Sequence, residues 1–200
     1  MKKFKMFMSG VMMLTALSAC KNPENSKSET TKETKDAVTQ KGEEKSHVYT
    51  DDPAYITKEI KVTGDVINPL TLTVDSLKKM DVKNLKDFNV VCQSGLTKDK
   101  IESTKGVLLK DILEKAKIEQ KDHTDRNFYI VARAADDYKA TFSWAEIFNN
   151  PNGDKTYVLL EQNGQPLKEK GEMIVVSMND TKTGPRHVKW LKSIEVHRVQ

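Results

Sequence analysis

Cysteine is the scarcest reactive residue in this chain: among 200 residues there are two, Cys20 and Cys92. Two thiols so far apart in sequence build no disulfide framework. Histidine is almost as rare, with four in all. His47, His123 and His197 show no metal-ligand spacing, so a zinc cage held by histidines is excluded. The chain also lacks a Ser-His-Asp arrangement, a Walker loop, a GxGxxG glycine pattern, a haem motif and any internal repeat. Its longest apolar run, from Met6 to Leu17, is too short to be read as a membrane span. Nor does it carry a real excess of positive charge. Of the net +4, three charges are Lys2, Lys3 and Lys5, and residues 21–45 hold six Lys against six acidic residues. The rest of the chain is nearly neutral, which removes the electrostatic footprint that nucleic-acid binding requires.

What is present divides the chain into three segments. Residues 1–19, with their basic start and apolar centre, read as a secretory signal. The signal ends in Leu17-Ser18-Ala19-Cys20, which resembles a bacterial lipoprotein signal and implies Cys20 as the lipidated first residue of the mature chain. The expected location is therefore the bacterial cell envelope, extracytoplasmic and lipid-anchored. Residues 20–50 read as a disordered tether, because so little apolar surface cannot offset the entropy lost on ordering. Residues 51–200 are long enough for one core.

Within that domain, strands are expected at Ile56–Val62, Leu70–Thr73, Asp87–Cys92, Phe128–Ala132, Tyr138–Phe142, Tyr157–Leu160, Met173–Met178 and Ser193–Val199. The spacing of Leu77 and Met80 predicts a short helix over Thr73–Met80. Leu108, Leu109, Ile112, Leu113 and Ala116 share a face and predict a helix over Val107–Ala116. Ser143 and Glu146 form a capping box that starts another. Gln93–Thr104 reads as a polar loop, and Asn163-Gly164 as a hairpin turn. Many short strands with a few short helices make an α+β domain rather than βαβ units.

One run concentrates chemistry: Thr183-Gly184-Pro185-Arg186-His187-Val188-Lys189-Trp190-Leu191. A Gly-Pro turn presents three basic side chains, with Gly allowing close approach and Pro fixing the loop. Arg offers a fork to phosphate or carboxylate and Lys a point charge. An anion-binding loop and a solvated basic turn are both consistent with the run alone. Cys92, alone in the domain, is open to three roles: buried thiol, metal ligand or reactive group. Tyr138 reads either as a half-buried strand aromatic or as a proton donor at a site.

The run at 183–191 resembles the pterin-phosphate loop of the sulfite oxidase superfamily, in its molybdopterin-binding domain. Lys105–Leu113 is similar to that family's Gly-Val-x-Leu-x-Asp-x-Leu helix start, and Ala134–Tyr138 to its Ala-x-Asp-Gly-Tyr turn. Val158–Leu160 followed by Asn163–Leu167 resembles its Leu-Leu … Asn-Gly-x-Pro-Leu hairpin. The shared order extends from about Ile60 to Val199. The resemblance implies a mixed multi-sheet sulfite-oxidase-type fold and a molybdopterin cofactor or a related pterin. It implies Cys92 as the metal ligand and Tyr138 as a catalytic donor. It assigns Gly184, Arg186, His187 and Lys189 to the cofactor's phosphate end, with Asn179 and Asp180 as pterin-ring partners.

The resemblance implies an Arg-bearing run after the cysteine that helps to bind an anionic substrate such as sulfite; here Gln93-Ser94-Gly95-Leu96 follows with no Arg, which speaks against that substrate, and Lys98 or Lys100 is the candidate substitute. Three functional readings remain open. The first is an oxidoreductase of a small substrate with an external redox partner. The second is a non-catalytic pterin sensor with a membrane signalling partner. The third is an interaction lipoprotein of the same fold.

Overall fold

Thirteen short strands build most of the computed structural model, which describes residues 53–200. The signal, Cys20 and the tether lie outside the described residues. In chain order the strands are β1 (Glu59–Gly64), β2 (Leu70–Thr73), β3 (Lys83–Leu85), β4 (Phe88–Val91), β5 (Thr97–Ile101) and β6 (Thr104–Leu108). They continue with β7 (Phe128–Ala134), β8 (Lys139–Ser143), β9 (Thr156–Gln162), β10 (Gln165–Pro166), β11 (Ile174–Ser177), β12 (His187–Val188) and β13 (Leu191–Arg198). Three short α-helices accompany them: α1 (Val74–Leu77), α2 (Leu109–Ala116) and α3 (Trp144–Phe148). This is the expected α+β, multi-sheet architecture.

The strands form three sheets. One runs β2-β1-β13-β7-β8; a second runs β12-β11-β9-β6-β3 with β10 on β9; β4 and β5 pair as a separate hairpin. Residue alternation explains the layering. Val158 and Leu160 of β9 and Val175 of β11 enter one core together with Ile60, Val62, Ile194 and Val196 of the first sheet. Tyr157 and Leu159 of β9 and Ile174 and Val176 of β11 point the other way, into a second core completed by Phe88, Val90 and Ile101 of the hairpin. β9 and β11 are thus buried on both faces, which is why they read as continuous apolar runs rather than as alternation. The helix α2 contributes Leu109, Ile112, Leu113 and Ala116 to the first core, the stripe its spacing predicts.

Thr73 and Ser143 each close a capping box, on Ser76 and Glu146 respectively, and these boxes fix the starts of α1 and α3. Two expectations need correction. The polar stretch 93–104 is not a loop: after a turn at Cys92–Gly95, closed by Gly95 N–H donating to Cys92 O at 2.9 Å, it returns as β5. Its residues Thr97–Lys100 are exposed, so the strand carries no apolar alternation. The predicted helix over Val107–Ala116 begins two residues late. Val107 and Leu108 instead pair with Val158 and Tyr157, because a β-branched residue beside an open strand edge gains more from the sheet.

Candidate functional site

The lone thiol of the domain is positioned by the hairpin β4–β5, immediately after β4 and at the first position of the turn. Cys92 N–H donates to Leu96 O at 2.9 Å, which holds the turn shut. The basic loop reaches this hairpin from ninety residues downstream, and four contacts tie the two together. Val91 N–H donates to Thr183 Oγ1 at 3.0 Å, and Thr183 Oγ1 donates to Asn89 O at 2.6 Å. Lys182 Nζ donates to Gln93 O. Gly184 packs so closely that a Cβ there would lie 2.8 Å from Val91 O and 3.3 Å from Cys92 Cα. Any side chain at this position would push the loop off the hairpin, so the glycine is needed for close approach.

Tyr138 joins from the β7–β8 turn. Asp137 there takes φ 69°, a left-handed conformation that Asp tolerates better than most residues. Tyr138 N–H donates to Asp136 Oδ1 at 3.1 Å, and its hydroxyl donates to Pro185 O at 2.7 Å. The hydroxyl therefore spans to the loop that contacts Cys92.

Between these elements lies a cavity of about 850 Å³. Cys92, Tyr138, Gly184, His187 and Lys189 all line it, together with Val90, Gln93, Lys98, Asp99 and Trp190. Trp190 sits at φ 49°, a costly conformation for a bulky residue. It is held there by Nε1–H donating to Glu169 O at 2.8 Å and by N–H donating to Lys170 O at 2.8 Å. Strain of this kind persists where the surroundings over-determine a side chain, and here it fixes a wall of the cavity.

His187 was expected as one of three cations, and its environment corrects that. Burial pushes its pKa down to about 3, and Lys189 and Lys170 push in the same direction. The imidazole is neutral at pH 7, and its Nε2 is buried with no hydrogen-bond partner.

Arg186, Asp180 and Asn179 are not among the residues lining this cavity. The Arg186 guanidinium lies over the Phe142 ring at 4.7 Å and is gripped by two carboxylates. Nε donates to Asp180 Oδ2 at 2.7 Å and Nη1 to Glu146 Oε1 at 2.9 Å. Burial raises the Glu146 pKa, but the Ser143 N–H and the Arg186 charge outweigh it and hold the carboxyl below its ordinary value. Asp180 also accepts from Ser177 Oγ at 2.9 Å, and Asn179 Nδ2 donates to Asn152 Oδ1 at 2.6 Å. These three residues anchor the loop to α3 and to the turn before β9.

Sequence reasoning named neither the backbone carbonyl of Pro185 nor Trp190 as part of the site. It offered Lys98 or Lys100 as a substitute for the missing arginine, and of the two only Lys98 lines the cavity. Among the described residues no three of His, Cys, Asp and Glu gather into a metal cage. Cys92 supplies the one thiol among the residues that line the cavity.

A family model described as the oxidoreductase molybdopterin binding domain matches residues 47–200. The sulfane dehydrogenase SoxCD from Paracoccus pantotrophus is similar in structure, with a TM-score of 0.54 at 17% identity over 72% of this chain. The match covers 39% of that chain, so this chain spans about two fifths of it. At that identity the likeness is one of fold. No curated protein matches the chain.

Proposed function

This chain belongs to the oxidoreductase molybdopterin-binding domain family, and from that premise we propose that the cavity between Cys92, Tyr138 and the loop at 184–190 seats the cofactor, with the Cys92 thiolate on the metal. The observation that carries the reading is the contact of Gly184 with Val91 and Cys92. It brings the lone thiol and the basic loop to one cavity although they are far apart in sequence.

The residues present fit such a group. A volume of about 850 Å³ is in the range of cofactor clefts. Molybdenum favours soft sulfur ligands, and the chain offers one thiol with no competing hard-ligand cage among the described residues. The buried, unpartnered Nε2 of His187 is the kind of orphan that a bound heterocycle satisfies.

When bound, the cofactor supplies a metal able to carry out oxygen-atom or electron transfer. The chain's own residues supply the setting. The Cys92 thiolate binds the metal and balances part of its charge. Lys189 places a positive charge for the cofactor's acidic tail. Neutral His187 offers one directional hydrogen bond without adding charge. Tyr138 keeps its proton on Oη, donated to Pro185 O, from where it is available to an oxygen in the cavity. Val90 and Trp190 wall the cavity with apolar surface and limit water.

The reading extends to a small-molecule substrate and an external redox partner. It also puts the domain on the outer side of a bacterial membrane through lipid on Cys20. The basic start and apolar run at residues 2–17 support the anchor. Labelled fatty acid incorporated by the full chain and lost in Cys20→Ala supports the anchor; equal labelling of both removes it.

The test of the cofactor site is metal and pterin content of full-length protein purified from a host that makes the cofactor. Wild type is expected to carry both in stoichiometric amount, and Cys92→Ser to lose molybdenum while remaining folded. Lys189→Ala is expected to retain less pterin. Pterin without metal in the wild type would instead identify a sensor. Wild-type protein with neither removes the assignment.

A further inference from the structure

We propose that the tip of the β4–β5 hairpin, residues 91–98, is a hinged flap over this cavity, latched by the Thr183 hydroxyl, and that its opening is the way in. The hairpin divides into an anchored base and a lightly held tip. At the base Phe88, Val90 and Ile101 are buried in the second core. Beyond them the register slips: Val90 pairs with Asp99, but the next residue, Val91, pairs with Thr97. Lys98 is the extra residue, opposed by nothing on β4. Such a bulge interrupts the ladder and lets the strand bend there. On the far side of it Leu96 and Thr97 are exposed. The two strands pair with each other and with neither of the other sheets. A two-stranded ribbon is marginal by itself, so a tip without apolar anchorage depends on its side-chain ties.

Those ties are few, and one differs from the rest. At the hinge Asp99 meets Lys170 Nζ at 3.4 Å, a surface pair of the kind that contributes little. Lys182 Nζ donates to Gln93 O at an exposed position. Gly184 packs closely on Val91 and Cys92 but has no side chain with which to hold them. Thr183, in contrast, is buried, and its one hydroxyl serves two groups of β4. It donates to Asn89 O at 2.6 Å and accepts from Val91 N–H at 3.0 Å. A neighbouring strand would take such a carbonyl and amide; here a single side chain does. Released from Thr183, both groups reach water. Opening thus exchanges hydrogen bonds rather than forfeiting them, and costs far less than unfolding the domain.

The tip supplies Cys92, Gln93 and Lys98 to the cavity lining. A swing about the bulge removes that side of the cavity, and closure returns the thiol to it. The inference rests on the cavity reading above for what is admitted, a cofactor-sized ligand; the motion itself is testable without it.

The test uses the full chain from a host that does not make the pterin. The Val91 amide is the reporter for hydrogen exchange, because its acceptor lies on the loop and not on the hairpin. Ile130→Val loosens the first core, which the hairpin does not enter. In that variant we expect amides of β7 and β13 to exchange about fivefold faster and Val91 to keep its wild-type rate. In Lys182→Met we expect Val91 to exchange about fivefold faster, as loss of one exposed hydrogen bond would give. In Thr183→Val the reporter has lost its acceptor, so access is read at Cys92. Labelling of Cys92 by a bulky maleimide should be about tenfold faster than in wild type, with mass spectrometry separating its peptide from Cys20. Should Thr183→Val not fold, Lys182→Met is labelled in its place, with about a fivefold rise expected.

A Val91 amide that speeds up together with β7 and β13 in Ile130→Val means that the tip leaves only when the domain unfolds, and overturns the proposal. An unchanged Val91 rate in Lys182→Met overturns it as well. Unchanged Cys92 labelling in the latch variant means that the cavity is entered elsewhere, with the same consequence. Pterin content of wild type from a cofactor-making host separates this proposal from the reading beneath it. If the flap behaves as expected and wild type holds no pterin, the flap stands and the cofactor reading fails. If wild type holds pterin and Val91 exchanges only with the whole domain, the reverse is true.

Discussion

Arg186 and Lys189 are three residues apart in one loop, and the fold uses them oppositely. Arg186 turns back into the protein, where Asp180 and Glu146 neutralise it and Phe142 covers it. Lys189 faces the cavity beside a neutral, buried His187. The first half of the contrast is a closed electrostatic account; in the second, the Nε2 of His187 is left without a hydrogen-bond partner. In a folded protein satisfied groups hold structure, while an orphaned polar group in a cavity wall points to something that binds there. The loop thus has an anchoring half and a ligand-facing half. Basic character alone does not distinguish them.

Substitutions break this comparison in order of expected size. Arg186→Met strands two partly buried carboxylates, and we expect it to lower unfolding free energy by about 2–3 kcal/mol in chemical denaturation. A loss below about 0.5 kcal/mol would place Arg186 among ordinary surface residues. Gly184→Ala forces a Cβ to within 2.8 Å of Val91 O. Its expected cost is about 1–3 kcal/mol, with lower pterin retention, because it separates loop from hairpin.

His187 gives the contrast a pH signature. Its folded pKa is depressed to about 3, so the unfolded chain takes up its proton first as pH falls. Stability from the neutral imidazole is complete above about pH 6.5 and is lost as the pH drops toward 3. Between pH 6.5 and 5.5 the wild type should lose about 1 kcal/mol more than His187→Gln. Parallel pH profiles for the two proteins contradict the burial of that ring. Glu195 acts lower on the scale. Its hydrogen bonds from Arg133 bring its pKa to about 2, so the stability it adds is present above about pH 4.3 and fades only below that. Lys189→Ala has the smallest effect on folding, within about 0.5 kcal/mol, and should show itself in ligand retention alone.

Much of the fold was legible in the residues. The capping box at Ser143, the Asn163-Gly164 turn and the apolar runs of β9 and β11 each have a local physical cause. That cause acts in the isolated sequence as it does in the structure. β5 was not legible, because an exposed hairpin strand of Thr-Lys-Asp-Lys carries no apolar alternation. The start of α2 was misplaced because tertiary pairing with β9 overrode the helical spacing of Val107 and Leu108. At the site, the residue types were readable but their directions were not. Cys92, Tyr138, Gly184 and Lys189 converge through contacts between distant segments. The turning of Arg186 toward α3 depends on where Glu146 and Asp180 are brought by the fold. The bulge at Lys98 exists only as a register between two strands, and no single strand shows it.

The most direct measurement is a crystal structure of full-length protein purified from a cofactor-making host, with anomalous diffraction collected at the molybdenum edge. The account predicts one anomalous peak within bonding distance of Cys92 Sγ, in the cavity that Tyr138, His187 and Lys189 line, with the cofactor's acidic tail toward Lys189. A metal bound elsewhere on the domain, with Cys92 free beside an empty cavity, would contradict it.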